Sequence, residues 1–214
     1  MIEPLDTKTR ILDTAERLFG LNGFEATSLR DITHEAQVNL AAVNYHFQSK
    51  ESLVDAVIAR RVEPVNRRRL EMLEAAGQDP TLEQILTALL EPALDIRLEC
   101  AVPLIGRILS DPTHFLDRVY KRHFVSVSEQ FRAALIRALP GSVLADVMWG
   151  QLFTIGAMTQ MMALSQILPD ITDGVCSMTD RPEVVKRAVH FLAAGFRAFS
   201  GGGPLDKEMT CAPA

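Results

Sequence analysis

Aromatic side chains are scarce in this chain, at 6% of residues, and cysteine is scarcer, with only Cys100, Cys176 and Cys211, spread far apart. An odd number of thiols without Cys-x-x-Cys spacing argues against a disulfide scaffold and a zinc site, so buried reduced thiols are expected. Catalytic signatures are missing as well. There is no His-Glu-x-x-His pair, no Gly-x-Ser-x-Gly elbow and no phosphate-binding glycine loop, and His34, His46, His114, His123 and His190 are scattered. No metal or cofactor is expected. Strong basicity is absent too: the net charge is −5, with ten Lys/Arg against ten Asp/Glu in residues 1–69 and twelve against seventeen in the remainder. Any argument for nucleic acid must therefore rest on pattern rather than on charge. The opening Met1-Ile2-Glu3-Pro4 has no basic segment followed by an apolar one, which sets the expectation of a cytoplasmic protein.

What is abundant is aliphatic. Hydrophobic residues make up 48% of the chain and β-type alternation is hard to find, so helix-on-helix packing and an all-α fold are expected. The stretch Val147 to Pro169 holds no charged residue and is about long enough to span a bilayer. Gln151, Thr154, Thr159, Gln160, Ser165 and Gln166 interrupt it, however, and a helix buried on most sides of a bundle reads the same way. The expectation is no membrane span.

From Thr7, apolar residues recur at helical spacing through Ile11, Ala15, Leu18 and Phe19, and the pattern runs out at Gly20-Leu21-Asn22-Gly23. Ser28 with Asp31 three residues on resembles a capping box, opening a second helix with Leu29, Ile32 and Ala36 on one face. Gln37-Val38-Asn39 breaks the pattern, and Asn39 caps a third helix, Leu40 to Phe47. Val43 and Phe47 point to the core, leaving Leu40, Ala41, Ala42, Asn44, Tyr45 and His46 directed elsewhere. Two short helices joined by a tight turn fit a helix-turn-helix, whose second helix enters the major groove of DNA. Small Ala side chains permit close approach, Asn44 has the geometry to pair with adenine, and Tyr45 and His46 suit phosphate oxygens. Ser49 caps a fourth helix, over about 50–75, where free backbone N–H groups and the Lys50 ammonium suit a phosphate; Thr27 and Ser28 offer a similar site at helix two. Pro64 either kinks helix four or ends it.

The arrangement Arg10-Ile11-Leu12, Ala15, Leu18-Phe19, Gly23-Phe24, Thr27-Ser28-Leu29, Ile32, Ala36, Val38, Tyr45-His46-Phe47, Ser49-Lys50-Glu51 and Leu53 resembles the TetR family over roughly residues 7–57. The resemblance implies a DNA-binding transcriptional regulator, working as a homodimeric repressor on double-stranded operator DNA, with a helix-turn-helix domain at 1–57. It places Thr27, Ser28, Arg30, Asn39, Leu40, Ala41, Ala42, Asn44, Tyr45, His46 and Lys50 at the DNA surface. Gln37 departs from the family pattern, which usually has Gly before the Val, and so bears on the turn geometry. A helical enzyme, or an adaptor that never touches DNA, is the alternative reading.

Beyond Arg67-Arg68-Arg69, which either approaches the DNA backbone or forms a solvated helix face, a polar break at 76–80 opens a second helical domain over 76–200. Thr81 caps a helix through Leu82 and Leu90. Further helices are expected over Ala101–Ser110, Pro112–Leu139, Ser142–Leu168 and Pro182–Phe199, and residues 201–214 read as a mobile tail. The last two long helices carry broad apolar faces, with Trp149, Leu152 and Gly156 on one and Val185, Ala188, Val189, Leu192 and Phe196 on the other. These fit either intrachain core or a four-helix dimer interface, and the resemblance implies the dimer. Leu94, Arg97, Leu98, Ile105, Leu109, Phe115, His123, Phe124, Phe153 and Met158 are candidates for an effector pocket. The family resemblance implies such a pocket, and the run Val38 to Phe47 looks like the branch that responds to fatty acids or acyl-CoA. The partner expected there is a small apolar effector.

Overall fold

The computed structural model describes residues 6–94 and 114–201. Helices α1 (Thr7–Asn22), α2 (Leu29–Glu35), α3 (Leu40–Phe47), α4 (Lys50–Ala75), α5 (Leu82–Leu94), α6 (His114–His123), α7 (Val125–Ala138), α8 (Leu144–Leu164), α9 (Leu168–Ile171) and α10 (Arg181–Gly201) follow one another, and no strand occurs among the described residues. The expected Ala101–Ser110 helix and the 201–214 tail, apart from Gly201 at the end of α10, lie outside the described residues. None of the described helices is long and apolar enough to cross a membrane.

Local sequence sets the helix ends in the N-terminal part. The α1 helix stops at Gly23, whose φ of 87° suits a residue without Cβ and whose N–H donates to the Phe19 carbonyl at 2.9 Å. At α2, Ser28 and Asp31 form the expected reciprocal cap: Asp31 N–H donates to Ser28 Oγ at 3.2 Å and Ser28 N–H to Asp31 Oδ2 at 2.9 Å. The hydrogen bonds from Ser28 hold the Asp31 carboxyl below the usual carboxylate range. The α3 cap is Asn39, whose Oδ1 accepts from Ala42 N–H at 2.8 Å. Ser49 likewise accepts from Ser52 N–H, at 3.1 Å, where α4 begins. Pro64 lies inside α4 and does not end it.

The chain divides into two compact units. In the first, residues 6–66 join 114–125 around a core of Ile11, Phe19, Phe24, Ile32, Val43, Phe47, Leu53, Val57 and Ile58. Val119 is buried in this core and Phe124 packs on it, so α6 belongs with the N-terminal helices rather than with the 76–200 domain expected from the sequence. Polar groups reinforce that placement. Arg122 donates to the buried Asp55 at 2.6 Å, and Asn66 Nδ2 donates to the His123 carbonyl at 2.7 Å. The single helix expected over Pro112–Leu139 is two, broken by a turn at Phe124.

In the second unit, residues 67–94 and 126–201, α10 packs along both α5 and α8, and α5 also meets α8. Two of the polar residues that interrupt the uncharged stretch are buried and satisfied: Gln151 accepts from Arg132 Nε and donates to the Ser128 carbonyl, both at 3.1 Å, and Thr154 donates to the Gly150 carbonyl. Gly150 is required where it stands, because a Cβ there would lie 2.2 Å from the Phe196 ring. Arg69 fits neither reading of the arginine run, the DNA-backbone contact or the solvated face. Its guanidinium is buried, donating to the Leu89 carbonyl at 2.8 Å and to Met158 Sδ at 3.2 Å, and burial lowers its pKa to about 10. Arg67 and Arg68 remain exposed. Cys176 is exposed, against the expectation of buried thiols.

Candidate nucleic-acid interface

Burying Val43 and Phe47 rotates the opposite side of α3 outward. Leu40 is 45% exposed and Tyr45 83%, and Ala41 and Asn44 are exposed beside them. Tyr45 stands edge-on to His46, with ring centroids 5.0 Å apart. The exposed Tyr45 lies next to an Asn44 amide that makes no hydrogen bond among the described residues, and neither side chain contributes to the buried core. Ser28 and Arg30 are exposed at the start of α2, and Asn39 is exposed at the start of α3. Lys50 is half-buried at the start of α4, its Nζ 3.3 Å from the Glu25 carbonyl that accepts from it.

Two of the residues expected at this surface sit differently. Thr27 is 1% exposed, and its hydroxyl donates inward to the Gly23 carbonyl at 2.8 Å and the Leu18 carbonyl at 3.3 Å. Its side chain therefore locks the turn between α1 and α2 and faces no phosphate. Ala42 is half-buried against the core, four residues before His46, and only part of it is available.

The turn between α2 and α3 explains how Gln37 replaces glycine. Gln37 adopts φ of +53°, the left-handed conformation for which glycine is the ordinary choice. Arg10 compensates from α1, donating through Nη2 to the Ala36 carbonyl and, at 3.1 Å, to the Gln37 carbonyl. Arg10 had no role in the sequence reading beyond a pattern position. A long cation on the face of α1 that packs on α2 was the available signal.

The effector candidates are divided between the two units, and several of them lie outside the described residues. Arg97, Leu98, Ile105 and Leu109 lie outside them, and so does the Phe115 side chain. His123 and Phe124 fall in the first unit, where burial holds the His123 pKa below its ordinary value. Phe153 is exposed, stacked between Trp149 at 5.7 Å and Phe199 at 6.2 Å. Leu94 is buried and Met158 half-buried in the second unit.

The interface candidates also split. Trp149, Leu152 and Gly156 are exposed on α8, Ala188 is half-buried, and Val185, Val189, Leu192 and Phe196 are buried within the chain. Among the described residues of α10 the exposed large hydrophobic is Phe191, at 76%, which is not among the interface candidates.

Three packed helices, a capped two-helix turn and a protruding second helix define a helix-turn-helix of the DNA-binding kind. Residues 11–57 match the family described as bacterial regulatory proteins, tetR family, and residues 87–195 match the tetracyclin repressor-like, C-terminal domain. The chain belongs to the TetR family of helix-turn-helix transcriptional regulators. It is 26% identical over 202 residues to the HTH-type transcriptional regulator UidR of Escherichia coli, covering 94% of each chain. The HTH-type transcriptional repressor KstR2 of Rhodococcus jostii is 35% identical over 82 residues, 37% of this chain and 40% of that one. In fold, the chain resembles the transcriptional regulator FadR from Bacillus subtilis in complex with stearoyl-CoA, with TM-score 0.64, 12% identity, and coverage of 87% and 98%.

Proposed function

We propose that this regulator is a homodimeric repressor that lays α3 of each protomer into successive major grooves of its operator and is released by a small apolar effector of the fatty-acid or acyl-CoA type. One observation carries the DNA part: the exposed row Leu40, Ala41, Asn44 and Tyr45, held by a buried Val43 and Phe47. In the groove, Asn44 pairs with an adenine edge, and Leu40 and Ala41 reach thymine methyl groups. Tyr45, His46, Arg30, Lys50 and the backbone N–H groups at the start of α2 take phosphates and fix the register.

The dimer uses the exposed faces of α8 and α10. Trp149, Leu152 and Phe153 on α8 and Phe191 on α10 are exposed apolar side chains of the kind that marks a protein–protein contact, and Gly156 permits close approach of the facing helix. Pairing two heads this way presents two recognition helices at roughly one helical turn, about 34 Å. The effector class rests on the resemblance of FadR, whose structure holds stearoyl-CoA, and on the abundance of Met and Phe in the second half of the chain. An effector acts by binding better to the dimer geometry that no longer fits the operator.

Gel retardation of fragments of the chain's own promoter, with stearoyl-CoA or palmitate added in graded amounts, tests both parts. A retarded band that gives way as the acyl compound rises is expected. Retardation of no fragment overturns the repressor, and a band indifferent to both compounds overturns the effector class alone.

A further inference from the structure

Along α5, Glu83, Thr87 and Glu91 recur every fourth residue and so form one stripe; along α10, Lys186 and His190 do the same. These stripes line opposite walls of a cleft of about 680 Å³ contained wholly within the second unit. Its floor is apolar, made by the buried side chains of Leu94, Val185 and Val189. A volume in the range of about 300–1,000 Å³, apolar lining and a few polar groups are the ordinary features of a small-molecule site.

The charges at the two ends of the cleft are arranged differently. Near the start of α5, Glu83 is neutralised by Arg197, whose hydrogen bond holds its carboxyl below the usual range. Further along, Glu91 on one wall and Lys186 on the other are exposed, and neither side chain has a hydrogen-bond or ion-pair partner among the described residues. Glu91 and Lys186 thus face a common apolar floor, which Arg181 also lines, without a counter-charge among the described residues, and complement a molecule carrying both signs.

We propose that this cleft binds a small zwitterion with an apolar body, of the class of an α-amino acid with an aromatic or branched side chain. Its carboxylate meets Lys186, its ammonium meets Glu91, and its side chain covers Leu94, Val185 and Val189. Lys186 and Phe191, five residues apart, point about 140° apart around α10, so the cleft stays open when the Phe191 face is covered. The site does not rest on the DNA reading or on an acyl effector.

Calorimetric titration of the full chain, without DNA, with L-phenylalanine, phenylacetate and phenethylamine separates the two walls. Phenylalanine is expected to bind best. Lys186→Gln should weaken phenylalanine and phenylacetate by about three- to tenfold and spare phenethylamine, while Glu91→Gln should weaken phenylalanine and phenethylamine and spare phenylacetate. Both residues are exposed, so neither change threatens folding. Absence of binding by all three probes at millimolar concentration overturns the site. Equal binding of the three, or phenylalanine binding unaltered in both variants, overturns the zwitterion.

Discussion

In the first unit the large aromatics Phe19, Phe24 and Phe47 are inside, and what stands out is one row of small, polar and aromatic side chains on α3. In the second unit Trp149, Leu152, Phe153 and Phe191 lie at the surface while α10 buries its other side on α5 and α8. The head thus completes its own core and offers a face suited to a polar, charged partner. The second unit leaves apolar area uncovered, as does half of a larger core. The surface proposed for DNA and the surface proposed for a second copy thus differ in the chemistry they expose.

The largest expected effect separates the two sides of α10. Phe196 is buried against Gly150, so Phe196→Ala should lower stability by about 3–5 kcal/mol in chemical denaturation. Phe191→Asp on the exposed side should instead convert dimer to monomer in sedimentation velocity while leaving helical circular dichroism in place. If Phe191→Asp stays dimeric, the uncovered face is not the interface. On the head, Asn44→Ala should weaken operator binding by about 1–3 kcal/mol and relax preference at one base pair. An unchanged sequence preference in a competition gel would remove Asn44 from base readout. Asn39→Ala removes the α3 cap and should lower stability by about 1 kcal/mol. The smallest effect has the opposite sign: Gln37→Gly relieves the left-handed backbone and should raise the thermal midpoint slightly, by about 0.5–1 kcal/mol of stability. A loss of stability there would mean that Arg10 already removes the strain.

The head was legible because its signals are local. Ser28, Asn39 and Ser49 each cap a helix through a hydrogen bond three residues away, and Gly23 stops α1 by its own backbone freedom. The spacing of Ile11, Ala15, Leu18 and Phe19, with Val43 and Phe47, then assigned the core. Thr27 escaped that reading, since a hydroxyl before a helix is equally suited to a phosphate and to the carbonyls of the preceding turn. In the second unit Thr81 caps α5 in the same way, accepting from Gln84 N–H at 3.3 Å, but no local signal fixes how α10 packs. The apolar stripe of α10 runs around much of its circumference, and nothing in the spacing of Val185, Val189, Phe191, Leu192 and Phe196 says which arc meets α5 and which meets solvent.

By itself the amino-acid order determined the all-helical class, the helix-turn-helix and its caps, because each depends on bonds between residues three or four apart. Only the tertiary structure decided that α6 joins the head, that Arg69 is interior, that Thr27 turns inward and that Phe191 rather than Phe196 faces out. Those outcomes depend on which distant surface each helix meets, and burial against a distant surface leaves no short-range pattern in the chain.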